Sequence, residues 1–138
     1  MNSSRPFRVV IDTNIFISGL AFGGNPGKII DFVRKNKFQT VTSPEIELEI
    51  FTKLAQLKVP EEKIQNLKII FDQGALRVIP KKKVLICRDQ EDNMFLEVCL
   101  EAKADFLITG DKDLLVLKNF GSTKILNPKD FLKIVKKS

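Results

Sequence analysis

The sequence predicts a single α/β domain in which a mostly parallel sheet is flanked by helices. Three observations support this class. The chain has 138 residues, which suits one hydrophobic core. Short apolar segments rich in β-branched residues alternate with longer segments of helical periodicity. Such alternation is typical of parallel strands joined by helical crossovers, and open sheets of this kind carry their sites beyond the carboxyl ends of the strands.

Five short segments are predicted as strands because each is largely apolar and is bounded by polar or turn residues. The first reads FRVVI, the second FQTVT and the fourth DFLIT. Residues 84–87 form a further short apolar segment that fits neither a strand nor a helix clearly. The predicted strands are residues 7–11, 38–42, 76–79, 105–109 and 124–126.

Capping residues and apolar periodicity predict the helices between these strands. Ser43 is a suitable N-cap, Pro44 suits the first helical position, and apolar residues recur at helical spacing from Ile46 to Leu57. The turn-rich sequence FGGNP at residues 22–26 is expected to break a helical region. We predict helices at residues 13–20, 27–35, 44–57, 61–73 and 92–103, within 110–118 and from 128 onward, in one domain of residues 7–135 that follows an N-terminal tail of residues 1–6.

The composition excludes several kinds of site. The chain contains no His, no Trp and no Tyr, so a Ser-His-Asp or Cys-His nucleophile cannot be assembled. The chain has 2 cysteines, which cannot supply the ligands of a Zn²⁺ site of the usual Cys/His type. Acid–base or metal chemistry therefore depends on carboxylates, lysines or the thiols.

The charge and the cysteines bear on partners and location. Lys plus Arg number 23 and Asp plus Glu number 17, so the formal net charge is +6. This excess suits an anionic partner such as nucleic acid, although solvated surface charge explains it equally. Cys87 and Cys99 do not suggest a disulfide framework. No apolar run approaches the roughly 18 residues of a membrane span, so we expect a reduced, cytoplasmic protein that does not enter a membrane.

Acidic residues follow several of the predicted strand ends. Asp12 follows the first strand, glutamates within residues 45–49 follow the second, Asp111 and Asp113 follow the fourth, and Asp92 begins the helix before the fourth. Each acid alone is explained as a helix cap, a turn residue or part of a solvated helix face. Gathered at one sheet edge, they would raise one another's pKa unless a cation neutralised them. Oxygen ligands without His or Cys suit Mg²⁺ or Mn²⁺, which can activate water beside a phosphoryl group.

Three motifs resemble, in order along the chain, those of the PIN-domain family of metal-dependent ribonucleases. They read VVIDTNIFIS at residues 9–18, TSPEIELEI at 42–50 and RDQEDNMFLEVCLEAKADFLITGDKDLL at 88–115. The third motif is the most specific and is similar to the branch of the family described as toxins of toxin–antitoxin systems. The resemblance covers about residues 7–132. It implies a parallel five-stranded sheet flanked by helices, one or two Mg²⁺ or Mn²⁺ ions, and hydrolysis of RNA.

Matched position by position, the resemblance implies four acids that bind metal and catalyse the reaction, with polar residues beside them. We place the second acid at Glu49, because the family has it six residues after a Ser like Ser43. Helical periodicity instead puts Glu47 in the apolar arc of its helix, so the choice stays open. Asp113 is either a further metal ligand or an acid behind the ligands. The implied residues are Asp12, Glu49, Asp92 and Asp111 as catalytic and metal-binding acids, and Asn14 and Thr109 as supporting residues.

Basic residues close to these acids in sequence are candidate contacts with RNA phosphates, although a lysine run also suits a solvated loop. Toxin-type members of the family pair with themselves and are blocked by a small antitoxin, so the resemblance implies a homodimer and an antitoxin protein whose Arg would match the acids. Phe22 is a candidate partner contact or a core residue of a helix connection. The predicted RNA contacts are Lys81, Lys82, Lys83, Arg88 and Lys112.

Three other functions compete with a ribonuclease. A haloacid-dehalogenase-like phosphatase also begins with an Asp at a strand end, but it needs a second Asp where this chain has Asn14. A receiver domain needs an Asp after the third strand, where this chain has Pro80 and Lys81. A degenerate PIN domain would bind RNA or a protein without catalysis, although all four acidic positions are occupied here.

Overall fold

A six-stranded sheet forms the centre of the protein in the computed structural model, which describes residues 5–136. The strand order is β3-β2-β1-β4-β6-β5. Neighbouring strands are parallel except β5, which runs antiparallel to β6. This confirms the predicted α/β class with its mostly parallel sheet. The strands are β1 (Arg8–Ile11), β2 (Gln39–Thr42), β3 (Leu76–Arg77), β4 (Phe106–Ile108), β5 (Asn119–Phe120) and β6 (Thr123–Leu126).

Strand β5 is not among the five strands that the sequence predicts. It has only two residues and pairs with β6 across a turn that contains Gly121 at φ 59°. A two-residue strand has no measurable period, and a left-handed glycine is read from the sequence only as a turn. The hairpin therefore depends on the rest of the sheet, which offers β6 as a partner.

Seven helices lie in the described residues, and most begin where capping chemistry predicts. Ser43 caps α3, its Oγ accepting a hydrogen bond from the Ile46 N–H at 3.1 Å. Two helices begin earlier than predicted. Helix α2 begins at Gly24 rather than residue 27, and α5 begins at Gln90, capped by Asp89, rather than at Asp92. The helices are α1 (Thr13–Ala21), α2 (Gly24–Arg34), α3 (Pro44–Gln56), α4 (Glu61–Gly74), α5 (Gln90–Ala102), α6 (Lys112–Leu115) and α7 (Pro128–Lys136).

The start of α2 at Gly24 changes the expected connection after α1. Pro26 lies in the first turn of α2, where a missing N–H and a fixed φ are tolerated. Phe22, in the short remaining connection, is 87% exposed, so the interpretation of Phe22 as a core residue is wrong. Residues 84–87 form neither a helix nor a strand.

Helix α5 is the most deeply packed helix beside the sheet, with both apolar and polar side chains buried around most of its circumference. Every residue from Asp92 to Cys99 is buried, and α5 contacts β1, β2 and β4. Burial of this kind removes several apolar side chains from water, each contributing about 1.5–3 kcal/mol. The packing therefore carries the polar first turn of α5 into the interior together with its apolar turns.

The neighbouring strands β1 and β4 define the place of the site. Their register pairs Ile11 with Ile108, and the Asp12 N–H donates to the Ile108 carbonyl at 2.9 Å. The chain leaves β1 toward β2 on one side, while β4 lies on the other side. Such a reversal opens a crevice at the carboxyl ends of the strands. None of the helices within residues 5–136 combines the length and apolar character that a membrane crossing requires.

Candidate metal and active site

Asp12 is buried at the carboxyl end of β1, where it also caps α1. Its Oδ1 accepts a hydrogen bond from the Asn14 backbone N–H at 3.1 Å, and its Oδ2 accepts one from the Thr109 hydroxyl at 2.6 Å. The residue is only 4% exposed. Burial raises the pKa of Asp12, and the hydrogen bond from Thr109 opposes this shift. Asn14 thus acts on Asp12 through its backbone, while its side chain faces solvent.

Thr109 joins the ends of the two central strands. While its hydroxyl donates to Asp12, the same oxygen accepts a hydrogen bond from the Asp111 N–H at 3.0 Å. Asp111 in turn caps α6, its Oδ1 accepting a hydrogen bond from the Asp113 N–H at 2.8 Å. The Thr-Gly-Asp turn therefore holds Asp111 next to Asp12 through one hydroxyl group.

Asp92 lies in the first turn of α5 and is 6% exposed. Its Oδ2 is buried and has no hydrogen-bond partner among the residues that the structure describes. Burial, followed by the charge of Asp111, raises the pKa of Asp92 to about 7. A buried carboxylate oxygen without a partner is costly for the fold, and the charges of Asp111, Asp89 and Asp12 add to this cost.

Asp92 also belongs to a cluster of three acids. Asp92, Asp111 and Asp113 each offer one carboxylate oxygen, and these oxygens lie within 4.8 Å of one another. The chemistry of this donor set, which is all oxygen and carries negative charge, fits a hard divalent cation. Such an ion would give Asp92 Oδ2 the partner that it lacks within residues 5–136.

Arg88 and Lys112 lie beside the three acids. One Arg88 guanidinium nitrogen is 3.3 Å from each oxygen of Asp113. The Arg88 side chain is 89% exposed, so this pair contributes little to stability and can exchange. Lys112 lies between Asp111 and Asp113 in sequence and is exposed.

The structure treats the two candidate second acids differently. The Glu49 carboxylate accepts a hydrogen bond from the hydroxyl of Thr13, the residue after Asp12. The Glu47 carboxylate is held by Arg77 in two hydrogen bonds of 2.8 and 3.0 Å. Both glutamates are partly buried on α3, but only Glu49 is brought to the end of β1.

Glu91 and Lys53 also belong to this region, and the motifs did not single them out. The Glu91 carboxyl contacts that of Glu49, which is the largest cause that raises the pKa of Glu91. Lys53 Nζ lies 3.9 Å from Glu91 Oε1. The available signals were that Lys53 follows Glu49 by one helical turn and that Glu91 precedes Asp92 directly.

Cys87 is a further neighbour that the sequence analysis did not place at this site. Burial raises the pKa of its thiol, and the charges of Asp92, Asp111 and Asp113 raise it further. Asn93 holds the backbone here: its Oδ1 accepts hydrogen bonds from the Ile86 and Cys87 N–H groups, and its Nδ2 donates to the Cys87 carbonyl. The buried amide of Asn93 thus attaches the irregular segment 84–89 to α5.

The three consecutive lysines lie elsewhere. Lys81, Lys82 and Lys83 line a cavity of about 260 Å³ with Ser43, Glu45 and Glu97, and none of the four predicted catalytic acids lines it. All three lysines are exposed. The backbone of the segment is anchored, because the Lys81 N–H donates to Glu101 Oε1 at 3.1 Å and the Val84 N–H to Glu97 Oε2 at 3.0 Å.

Acids gathered at the carboxyl ends of β1 and β4, in a mostly parallel α/β fold, are an arrangement typical of a nuclease-type fold. The chain belongs to the PIN-domain family: the family model described as PIN domain matches residues 8–113. The uncharacterized protein MJ1680 of Methanocaldococcus jannaschii is 37% identical, over an alignment that covers 91% of this chain and 89% of the relative. The family match confirms the resemblance seen in the three motifs and replaces the phosphatase and receiver-domain alternatives.

Proposed function

We propose that this chain is a metal-dependent endoribonuclease that hydrolyses the phosphodiester bonds of RNA. One observation carries the proposal: the oxygens of Asp92, Asp111 and Asp113 converge within 4.8 Å, and one Asp92 oxygen is buried without a partner in the described part of the chain. Family membership supports it, because PIN domains are generally metal-dependent nucleases. The residues Asp12, Glu49, Asp92 and Asp111 are the catalytic acids of this proposal, and Asp113 is a further metal ligand.

The donor atoms fit Mg²⁺ or Mn²⁺, because both ions prefer oxygen ligands. When bound, such an ion supplies a water of lowered pKa and neutralises charge on the attacked phosphate. The other tasks belong to the chain itself. Thr109 and the Asn14 N–H hold the Asp12 carboxylate in one orientation through two hydrogen bonds. Thr13 does the same for Glu49.

The basic residues have the task of binding the substrate. The Arg88 side chain is 89% exposed and weakly paired, so it can exchange Asp113 for a phosphate oxygen, and Lys112 is exposed between two of the acids in sequence. Lys81, Lys82 and Lys83 form a second basic area that would contact RNA farther along the strand. Phosphate contacts of this kind supply affinity without sequence preference.

A cleavage assay on mixed-sequence RNA tests the proposal. We expect cleavage with Mg²⁺ or Mn²⁺, no cleavage with excess chelator, and a loss of about 100-fold or more in Asp12→Asn and Asp92→Asn. Asp130→Asn, an exposed acid of α7, is the matched control and should cleave like the wild type. Undiminished cleavage in chelator contradicts the metal requirement. RNA binding without cleavage in either metal would replace the enzyme by a binding module.

We also propose that the chain is a cytoplasmic toxin that forms a homodimer and is blocked by an antitoxin. The similarity of residues 88–115 to toxin-type members supports this. The Arg88–Asp113 contact supports the inhibitory chemistry, since it pairs a guanidinium with an acid of the cluster. Expression in a bacterial host should inhibit growth more than expression of Asp12→Asn. Equal growth rejects the toxin role but not a housekeeping ribonuclease, and light scattering measures the dimer.

A further inference from the structure

A groove of about 430 Å³ lies between α3 and α5, and Glu49, one of the proposed catalytic acids, is among its lining residues. Leu48, Thr52 and Gln56 line it from α3, and Gln90 and Met94 line it from α5. Its volume lies within the usual range of sites for small ligands. The groove would hold one nucleotide but is too small for a folded partner.

Glutamates form part of the groove lining. Glu45, Glu49 and Glu91 line the groove, and Glu49 is hydrogen-bonded to Thr13, next to Asp12. A ligand in the groove would therefore touch Glu49, one of the acids of the proposed catalytic site. Continuity with the acids makes the groove an extension of the substrate path rather than a separate pocket.

The lining has the two kinds of surface that an unstacked nucleobase needs. Leu48 and Met94 offer an apolar surface. Leu48 is 69% exposed, whereas Met94 is 7% exposed and forms the floor. The amides of Gln56 and Gln90 each provide donors and an acceptor for the edge of a base. Proteins read single-stranded RNA by this combination of an apolar face and hydrogen bonds to base edges.

Charge completes the match with a nucleotide. Lys53 also lines the groove, and its Nζ lies 3.9 Å from Glu91 Oε1. A cation among the lining residues is where the phosphate of a bound nucleotide would lie. The lining acids repel a phosphate, so among the residues that line the groove Lys53 is the one that attracts it.

We propose that the α3–α5 groove binds the nucleotide that flanks the scissile phosphate of single-stranded RNA, with its base over Leu48 and Met94 and its phosphate on Lys53. Gln56 and Gln90 contact the base edge and bias which nucleotide is accepted. This inference rests on the proposed ribonuclease function for its substrate, but binding in the groove can be measured without cleavage.

The two methionines of the chain, Met1 and Met94, provide a direct probe. With ¹³C-methyl methionine, the spectrum contains a signal from the groove and one from the chain start, and Met94→Leu assigns them. We expect millimolar adenosine, cytidine, guanosine or uridine monophosphate, in chelator, to shift the Met94 signal and leave that of Met1 unchanged. Inorganic phosphate alone should produce a much smaller shift, because it cannot contact the apolar floor.

Matched glutamine variants test the base contacts. Gln56→Ala and Gln90→Ala should each weaken the nucleotide titration by about three- to tenfold, as expected for the removal of one hydrogen bond. Gln73→Ala, an exposed glutamine on α4, should leave the titration unchanged. In the cleavage assay the two groove variants should change the nucleotide preferred at one position beside the cut, without abolishing cleavage.

The outcomes separate this inference from the proposed function. RNA cleavage with an unmoved Met94 signal, or equal titrations in Gln56→Ala and the wild type, overturns the groove assignment alone. A Met94 shift without RNA cleavage supports the groove and rejects the ribonuclease. A Met94 signal that changes with protein concentration in the absence of nucleotide, together with a dimer in light scattering, would identify the groove as an interface between copies and overturn the proposal.

Discussion

The buried carboxylate of Asp92 lowers the stability of the metal-free fold. One of its oxygens is buried without a hydrogen-bond partner within residues 5–136, and burial together with Asp111 raises its pKa to about 7. Between the ordinary pKa of 3.8 and this value, the folded chain binds a proton that the unfolded chain releases. The metal-free fold should therefore lose stability as the pH rises from about 4 to 7.

The pH dependence of melting in chelator tests this expectation. We expect the melting temperature of the wild type to fall between pH 5 and pH 8, and that of Asp92→Asn to fall less, because Asn cannot ionise. A domain of this size changes its melting temperature by about 4 °C for each kcal/mol. Above pH 7, Mg²⁺ should raise the melting temperature of the wild type more than that of Asp92→Asn.

Asp130→Asn is the control for this experiment, because Asp130 is exposed and pairs with Lys133 in the last helix. It should reproduce the wild-type dependence on pH. If Asp92→Asn also does so, the Asp92 carboxyl does not carry the electrostatic cost that its burial indicates.

Glu47 and Glu49 provide a second prediction for single residues. Glu49→Gln should reduce cleavage by about 10- to 100-fold, since Glu49 contacts Thr13 beside Asp12. Glu47→Gln weakens the pair with Arg77 and should cost up to about 1 kcal/mol of stability while cleavage is retained. Cleavage rates and melting curves of both variants distinguish the two glutamates. If Glu47→Gln lost cleavage and Glu49→Gln retained it, the second acid would be Glu47.

At the scale of elements, the segment before α5 depends on a helix side chain for its shape. Residues 84–89 have no helix or strand of their own, yet the Asn93 amide makes three hydrogen bonds to their backbone. Glu97, one turn farther along α5, binds the Val84 N–H. The segment carries Arg88 and leads directly into the first turn of α5. The positions of Arg88 and Asp92 therefore depend on this attachment.

Replacement of Asn93 by Ala should cost about 1–3 kcal/mol, because backbone groups lose their partners in a partly buried segment. Hydrogen exchange should accelerate at the Ile86 and Cys87 amides, and much less at Val84, which keeps its bond to Glu97. Asn66→Ala, an exposed asparagine on α4, is the matched control. Unchanged exchange at Ile86 and Cys87 would show that other contacts hold the segment.

At the scale of the whole molecule, a basic protein surrounds an acidic centre. The net charge is +6, while the acids gather at one edge of the sheet. A long polyanion is attracted by the total charge, but it can approach the acids only where basic residues or a bound cation offset their repulsion. Binding of RNA should therefore weaken steeply as salt increases.

Charge-matched triple variants test where this attraction acts. Substitution of Lys81, Lys82 and Lys83 by Ala should reduce the slope of log affinity against log salt by about 0.7 for each phosphate that the lysines no longer neutralise. Substitution of Lys28, Lys124 and Lys129, three exposed lysines elsewhere, removes the same charge. Equal slopes and affinities for the two triple variants would mean that the lysine run acts only through net charge.

Several parts of the fold could be predicted because their signals are local. The predicted segments around β1, β2, β4 and β6 agree with the strands within one or two residues, and Ser43 caps α3 as its sequence indicates. The hairpin that contains β5 and the start of α2 at Gly24 could not be predicted. Two residues cannot show a period, and a proline is compatible with both a loop and a first helical turn.

The sequence by itself determined the class of fold, the family and the exclusion of His- and Cys-based chemistry, because periodicity, motifs and composition are properties of the chain. Only the tertiary structure decided which acids meet. It placed Glu47 on Arg77 and Glu49 beside Thr13, buried one oxygen of Asp92, and brought Lys81, Lys82 and Lys83 together along one cavity. These outcomes depend on distances between side chains far apart along the chain, and such distances follow from the packing of α3 and α5 against the sheet.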